Sequence, residues 1–395
     1  MSENTAAAET KKNTVRKRAA AVALFLLVLL VMLSFLQRYL CIPVTSDLTR
    51  AIQFEKEPED SIDVIMLGSS PTYSGFASGY AYEKFGFTSY PYALSGSSCN
   101  MWKPAMQNIL RTQKPRLVVV DIFGGGYDAE TVLDRKGPLY IISSTMPLSP
   151  LKIRMASEAS KNMNAGDTVS LTFPFIRYHT NVAGNIPSLK ERLAIEDYGP
   201  SPLKGFETIT DAEHFDRLDK ACFTSDTIEL DKNTEKIITD FIDYCRSQDV
   251  DILFVKYPSN MQYSEDFDAN KRMNSVLKLA KSKGCNTLDL QKKYYEIGLR
   301  EDTDWYNRGH TNTRGQIKIT EYLGDYIVKI MGVEPSELDA PVRKQWDEAA
   351  AYYEALSSLS EEMISSGDVQ LIYDSPELVD RTAEYMKAQQ KAKKD

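Results

Sequence analysis

From residue 61 onward, short apolar runs alternate with longer stretches whose apolar positions recur at helical spacing. DVIML (residues 63–67) predicts a strand, and SYPYAL (89–94) predicts a second. MWKPAMQNILRTQ (101–113) reads as a helix with Pro104 near its first turn, where a missing N–H costs no intrahelical bond. RLVVVDIF (116–123) is almost continuous in β-branched residues, as a strand buried on both faces should be, and Gly124, Gly125 and Gly126 end it. TEKIITDFIDYCRSQ (234–248) predicts a helix, and DILFVKYP (251–258) a buried strand stopped by Pro258. DANKRMNSVLKLAKSKG (268–284) is a helix closing on Gly284, CNTLDL (285–290) a short strand, and GQIKITEYLGDYIVKIM (315–331) a closing helix. Strand, helix and strand in this succession predict an α/β fold, a flavodoxin-like three-layer α/β/α arrangement around a parallel sheet. Sites in such folds gather at the carboxyl ends of the strands.

The pattern lapses between about residues 127 and 232, which predicts an insertion that covers the site or forms a lobe; it holds the aromatic stretch FPFIRYHTN (173–181). At the other extreme of hydropathy, KKNTVRKR (11–18) precedes AAAVALFLLVLLVMLSFL (19–36), a run without charge. Eighteen such residues span about 27 Å as a helix, close to the hydrocarbon thickness of a bilayer. A cleavable signal peptide is the rival reading, but the run exceeds a typical signal core and QRYLCIPV has neither an A-x-A site nor the small residues a lipoprotein site needs before Cys41. Basic residues before the run put the N-terminus in the cytoplasm and the main body outside the cell membrane. The expected divisions are a basic tail (1–18), a transmembrane signal anchor (19–40), an α/β domain (45–331) and an acidic helical extension (332–395).

Composition narrows this only a little. The chain has 395 residues, ample for one sizeable α/β domain with an appendage. A net charge of −8 argues against nucleic acid as a partner. Five cysteines are scattered, with no C-x-x-C pair and no metal-ligand spacing, so no specific disulfide and no zinc site is predicted. Without G-x-x-x-x-G-K-[ST] the glycine run makes a poor nucleotide site, and no cofactor is expected.

The chemistry begins where DVIML runs into GSSP. Ser70 is either a helix N-cap with Pro71 at the first helical position, or a nucleophile presented at a strand end, and the two roles are compatible. Ser69 is the other candidate hydroxyl. A serine needs a base within hydrogen-bond reach, and of the three histidines His310 lies between the last predicted strand and the last helix, near the same edge. His179 reads as packing among aromatics and His214, in TDAEHFDRLDK, as solvated. Trp102, Trp305 and Tyr306 read as glycan-facing or as core.

Over roughly residues 61–330 these segments resemble the SGNH (GDSL-type) hydrolase superfamily. They look closest to its membrane-anchored extracytoplasmic bacterial branch, which includes the D-alanyl transfer protein of teichoic-acid modification and acyltransferase-like proteins of exopolysaccharide acetylation. VIMLGSSPTYSGF carries Ser70 where the family has its nucleophile. YALSGSSCNM carries Gly96 where the second block has a glycine whose N–H joins that of Ser70 in an oxyanion hole, and DWYNRGHTNTRG carries His310 on the family's base. The resemblance implies a serine esterase or O-acyltransferase acting on acyl esters of a cell-surface glycan or envelope polymer, with a membrane acyltransferase as a candidate partner. Two departures stand out. The family's last block reads Asp-x-x-His, but Asn307 stands three residues before His310, with Asp304 and Asp302 further back. Either Asp304 supplies the carboxylate, or Asn307 orients the ring without a charge, or the chain is slow or no enzyme. In the third block, where the family often has an asparagine, stand Asp121 and the glycine run, so the backbone at Gly124 becomes a candidate oxyanion donor. A catalytically degraded scaffold or binding subunit of an envelope-assembly complex is the rival from another class. A flavodoxin-like domain that binds an anion at its Ser-Gly turns is a third.

Overall fold

A computed structural model describes residues 2–163, 168–197, 199–261, 263–367 and 376–392. The five apolar runs form one parallel sheet: β1 (Val64–Gly68), β2 (Ser89–Ala93), β3 (Leu117–Asp121), β4 (Asp251–Lys256) and β5 (Asn286–Asp289), in the order β2-β1-β3-β4-β5. Val64 is in register with both Ser89 and Leu117, and Leu117 with Asp251. This is the flavodoxin-like strand order, and it turns on β1, whose carboxyl end carries the GSSP turn.

The helices follow in chain order. α1 (Ser2–Leu40) contains the apolar run and is long and apolar enough to cross a membrane. α2 (Ser46–Phe54) follows it. α3 (Ser70–Gly75) and α4 (Ser78–Phe85) separate β1 from β2, and α5 (Trp102–Ile109) precedes β3. α5 is shorter than its sequence predicts, because the chain turns at Ile109 and brings the Gln113 side chain back to accept the N–H groups of Ser61 and Ile62 at 3.0 and 3.2 Å.

The insertion is a set of short helices: α6 (Ala129–Asp134), α7 (Gly137–Thr145), α8 (Pro150–Ala159), α9 (Thr168–Thr172), α10 (Phe175–Tyr178), α11 (Val182–Asn185) and α12 (Leu189–Asp197). α13 (Lys232–Ser247), α14 (Ser264–Ser282) and α15 (Thr313–Lys329) complete the layers, and α16 (Ala340–Ser366) and α17 (Pro376–Ala392) form the extension.

Alternation along the strands fills both faces. Ile65, Leu67, Val118, Val120 and Phe254 pack with Trp102 of α5, Phe241 of α13 and Val276 of α14. Their neighbours Val64, Met66, Val119 and Val255 pack with Ala81 of α4 and Ile319 and Leu323 of α15. The acidic extension is not free: α16 lies on α4, burying Trp346 and Tyr353. Trp102 and Trp305 are core residues, the latter donating from Nε1 to the Tyr294 hydroxyl at 2.7 Å.

Candidate active site

Two serines that are equivalent on paper part company at the end of β1. Ser69, not Ser70, is the N-cap of α3, so Ser70 is the first helical residue and Pro71 the second. The Ser69 hydroxyl is buried and donates to Asp121 Oδ2 at 3.2 Å, and the Thr72 hydroxyl donates to the same oxygen at 3.2 Å. Asp121, at the end of β3, also accepts the N–H of Phe123 at 2.9 Å. Burial pushes its carboxyl up to about 6 against those hydrogen bonds. Asp121 therefore clamps the β1–α3 turn from beneath. Ser70 is half-buried beside Tyr73, whose phenol oxygen lies 2.9 Å from Ser95 Oγ.

That serine joins the next strand-end loop to the site. Leu94 N–H and the Ser97 hydroxyl both donate to the Gly68 carbonyl, at 3.2 and 2.9 Å, which seats residues 94–97 against the turn. Gly96 has φ +61°, a conformation that favours glycine. Among the described residues nothing accepts its N–H, and Ser70, first in its helix, has no intrahelical acceptor either. Gly124 is the third backbone position that the sequence offers as an oxyanion donor. It is buried with its α-carbon against the Ser97–Ser98 backbone, where a Cβ would lie 2.7 Å from the Ser97 carbonyl oxygen. The lack of a side chain at Gly124 permits that close approach.

His310 lies on a hairpin that the sequence reading took for loop: β6 (Trp305–Asn307) pairs antiparallel with β7 (His310–Thr311) around Arg308 and Gly309. The Thr311 hydroxyl donates to the Ser74 carbonyl at 2.9 Å, tying β7 to the same short helix that starts at Ser70. Asn307 Oδ1 accepts the Gly309 N–H at 2.9 Å and lies 2.8 Å from His310 Nδ1. A backbone N–H only donates, so the atom between them is the amide oxygen, and Nδ1 carries the proton. Nε2 is then the ring's acceptor. Burial lowers the imidazole to about 4.

Asp304 does not reach this ring. Its Oδ2 accepts the Arg300 N–H at 2.8 Å and the Lys318 ammonium at 2.6 Å, and its Oδ1 accepts the Thr303 hydroxyl at 3.0 Å. Asp302 pairs with Arg300 at 2.8 Å. The residue on His310 is Asn307. Among the described residues no hydrogen bond joins Ser70 to His310. His179 and His214 are exposed, and no three His, Cys, Asp or Glu side chains among the described residues gather as metal ligands.

One feature of this edge has no counterpart in the sequence reading. Arg135, just after α6 in the insertion, stacks over the Tyr127 ring at 4.9 Å and reaches Gly96 so closely that a Cβ there would lie 2.6 Å from Nη1. It is exposed, and among the described residues no carboxylate pairs with it.

No family model matches the chain, and no curated protein matches it. One solved structure to which it is similar is an acetyl xylan esterase from the rumen bacterium Butyrivibrio proteoclasticus, at 9% identity and a TM-score of 0.28. The match covers 70% of this chain and 66% of that one, just under two thirds of its length. A likeness of that degree carries no functional argument.

Proposed function

We propose that the chain is a membrane-anchored serine esterase or O-acyltransferase of SGNH type, with its α/β domain outside the cell and acyl esters of an envelope glycan or polymer as substrates. The observation that carries this reading is the joining of two elements. α3 carries the half-buried Ser70 at its start, and β7, hydrogen-bonded to α3, bears an imidazole whose acceptor nitrogen is set by Asn307. Ser70 Oγ attacks the acyl carbonyl while His310 Nε2 takes its proton, and the N–H groups of Ser70 and Gly96 hold the oxyanion. Collapse breaks the ester bond, and the leaving alcohol takes the proton back from His310. Water or a glycan hydroxyl then attacks the acyl-enzyme, with His310 again as base. A hydrogen bond between serine and histidine commonly tightens only once substrate is bound. The neutral acceptor on Nδ1 supports the scaffold reading as the alternative, since an amide does not balance the charge of an imidazolium.

The full chain in membranes is the test object. A fluorophosphonate probe is expected to label the wild type and Ser69→Ala, and not Ser70→Ala. Equal labelling of wild type and Ser70→Ala removes nucleophilic catalysis at Ser70, and no labelling of any form favours the scaffold.

Arg135 bears on the substrate. A guanidinium without a carboxylate beside the oxyanion loop favours an anionic polymer near the scissile ester. Arg135→Ala is expected to lower kcat/KM for a carboxylate-bearing ester about tenfold, with little change for a neutral ester of the same acyl group. Equal losses on both would assign Arg135 to holding the loop.

A further inference from the structure

The insertion does more than border the cleft: we infer that its helices α9–α12 dip into the outer face of the bilayer beside α1. The inference rests on reading α1 as a membrane span. The foot of that helix is fastened to the insertion. Asn185 Nδ2 donates to the Leu40 carbonyl at 2.8 Å, and Arg192 donates to the Arg38 carbonyl from Nε at 3.2 Å and from Nη2 at 3.0 Å. Arg38 in turn pairs with Glu196 at 2.8 Å. The insertion therefore stands where α1 leaves the membrane.

Contact does not stop at the foot. α1 packs against α7, α10, α11 and α12, and within its uncharged run Leu29, Leu33 and Leu36 are half-buried while the other large apolar side chains are exposed. Leu29 to Leu36 is about 10 Å of helix at 1.5 Å per residue, all of it within the uncharged run. Helices lying in a bilayer interface bury their apolar side by about 5–10 Å. The partly covered face of α1 extends over that same depth.

The surface of these helices suits that location. Phe173, Ile176, Ile186 and Leu193, all on or next to the helices around α1, are 39%, 47%, 57% and 44% exposed. Four large apolar side chains exposed within residues 173–193 suit apolar surroundings. Over residues 168–197, which hold α9–α12, three Lys and Arg balance three Asp and Glu, although the chain's net charge is −8. Exposed apolar side chains on helices without net charge fit the headgroup boundary of a bilayer. Seated this way, the domain has a fixed height and tilt, and the loop bearing Arg135, in the same insertion, faces substrates held close to the membrane.

The test uses full-length protein in vesicles of phosphatidylglycerol and phosphatidylethanolamine. In a Cys285→Ser background, where the remaining cysteines are buried, an environment-sensitive nitrobenzoxadiazole dye is attached to Ile176→Cys, Leu193→Cys, Leu27→Cys or Lys281→Cys. Lipids carrying a nitroxide on the acyl chain are then added. Dyes at 176 and 193 are expected to be quenched severalfold more than the dye at 281, as the dye at 27 is. Quenching at 27 with 176 and 193 behaving like 281 overturns the dipping lobe and leaves the anchor standing. No quenching at 27 overturns both. Blue-shifted dyes at 176 and 193 that acyl-chain nitroxides do not quench would mean a second copy or another protein covers this face, which also defeats the inference.

Discussion

Replacing His310 by alanine is expected to lower turnover of an activated acyl ester by about 10⁴-fold, because serine without its base is a poor nucleophile. The neighbouring amide sorts the possible causes. Asn307→Ala removes the acceptor on Nδ1 and frees the ring to take either tautomer, and a loss of about 10²-fold is expected. Asn307→Asp keeps the acceptor and adds a charge that favours imidazolium, so the ring should titrate higher. The pH profile reads this out. His310 is held down to about 4 by burial, so the base stays neutral and competent at all higher pH, and activity that depends on it falls only as pH drops through about 4. In Asn307→Asp the acid limb is expected to move up toward neutrality, with turnover at pH 8 changed by less than about tenfold. An acid limb unmoved by Asn307→Asp, or a His310→Ala variant that keeps wild-type turnover, would defeat the assignment of the base.

Particular residues show what could be read without coordinates. LVVV and ILFV are legible as central strands because both of their faces are buried, so every position is apolar and neither helical nor alternating spacing competes. The apolar run of α1 is legible for the same reason of uniformity. The choice between Ser69 and Ser70 was not, since it is made by Asp121, which arrives from a strand 52 residues away to take the Ser69 hydroxyl. Local capping chemistry offered Ser70 as the N-cap, and tertiary contact moved the cap by one residue. Asp304 is the nearest carboxylate before Asn307 in the sequence, but the Lys318 ammonium of α15 holds it. The hairpin around Arg308 and Gly309 went unseen because its strands are only three and two residues long, too short for any periodicity to register. Arg135 belongs to a stretch with no pattern of its own, and only the folded insertion brings it to Gly96.

The largest stability effect is expected at a pair remote from the chemistry. Lys204 Nζ donates to both oxygens of Glu57, at 3.1 and 2.8 Å, and the two side chains are 1% and 0% exposed. The ammonium also lies 4.7 Å from the Trp346 ring centroid, so the pair locks the end of α2, the returning limb of the insertion and the C-terminal extension together. Earlier in α2, Arg50 donates to the Gly205 carbonyl at 2.9 Å and to the Ala93 carbonyl at 2.7 Å, and its guanidinium covers Tyr73, the neighbour of Ser70. Lys204→Met leaves a buried carboxylate without its counter-charge, at an expected cost of about 3–5 kcal/mol. Burial already pushes Glu57 up against the pull of Lys204, and without the lysine it rises further. The folded variant then binds a proton that the unfolded chain releases near pH 4, so its stability falls as pH rises above that point. The deficit should accordingly shrink in mild acid. Lys204→Met combined with Glu57→Leu removes both charges and should regain most of the loss and flatten the pH dependence. Unfolding of the full chain in detergent, followed by tryptophan fluorescence between pH 5 and 8, decides the matter. A single variant as stable as wild type, or a double variant no better than the single, would mean that the pair is not what holds these three segments.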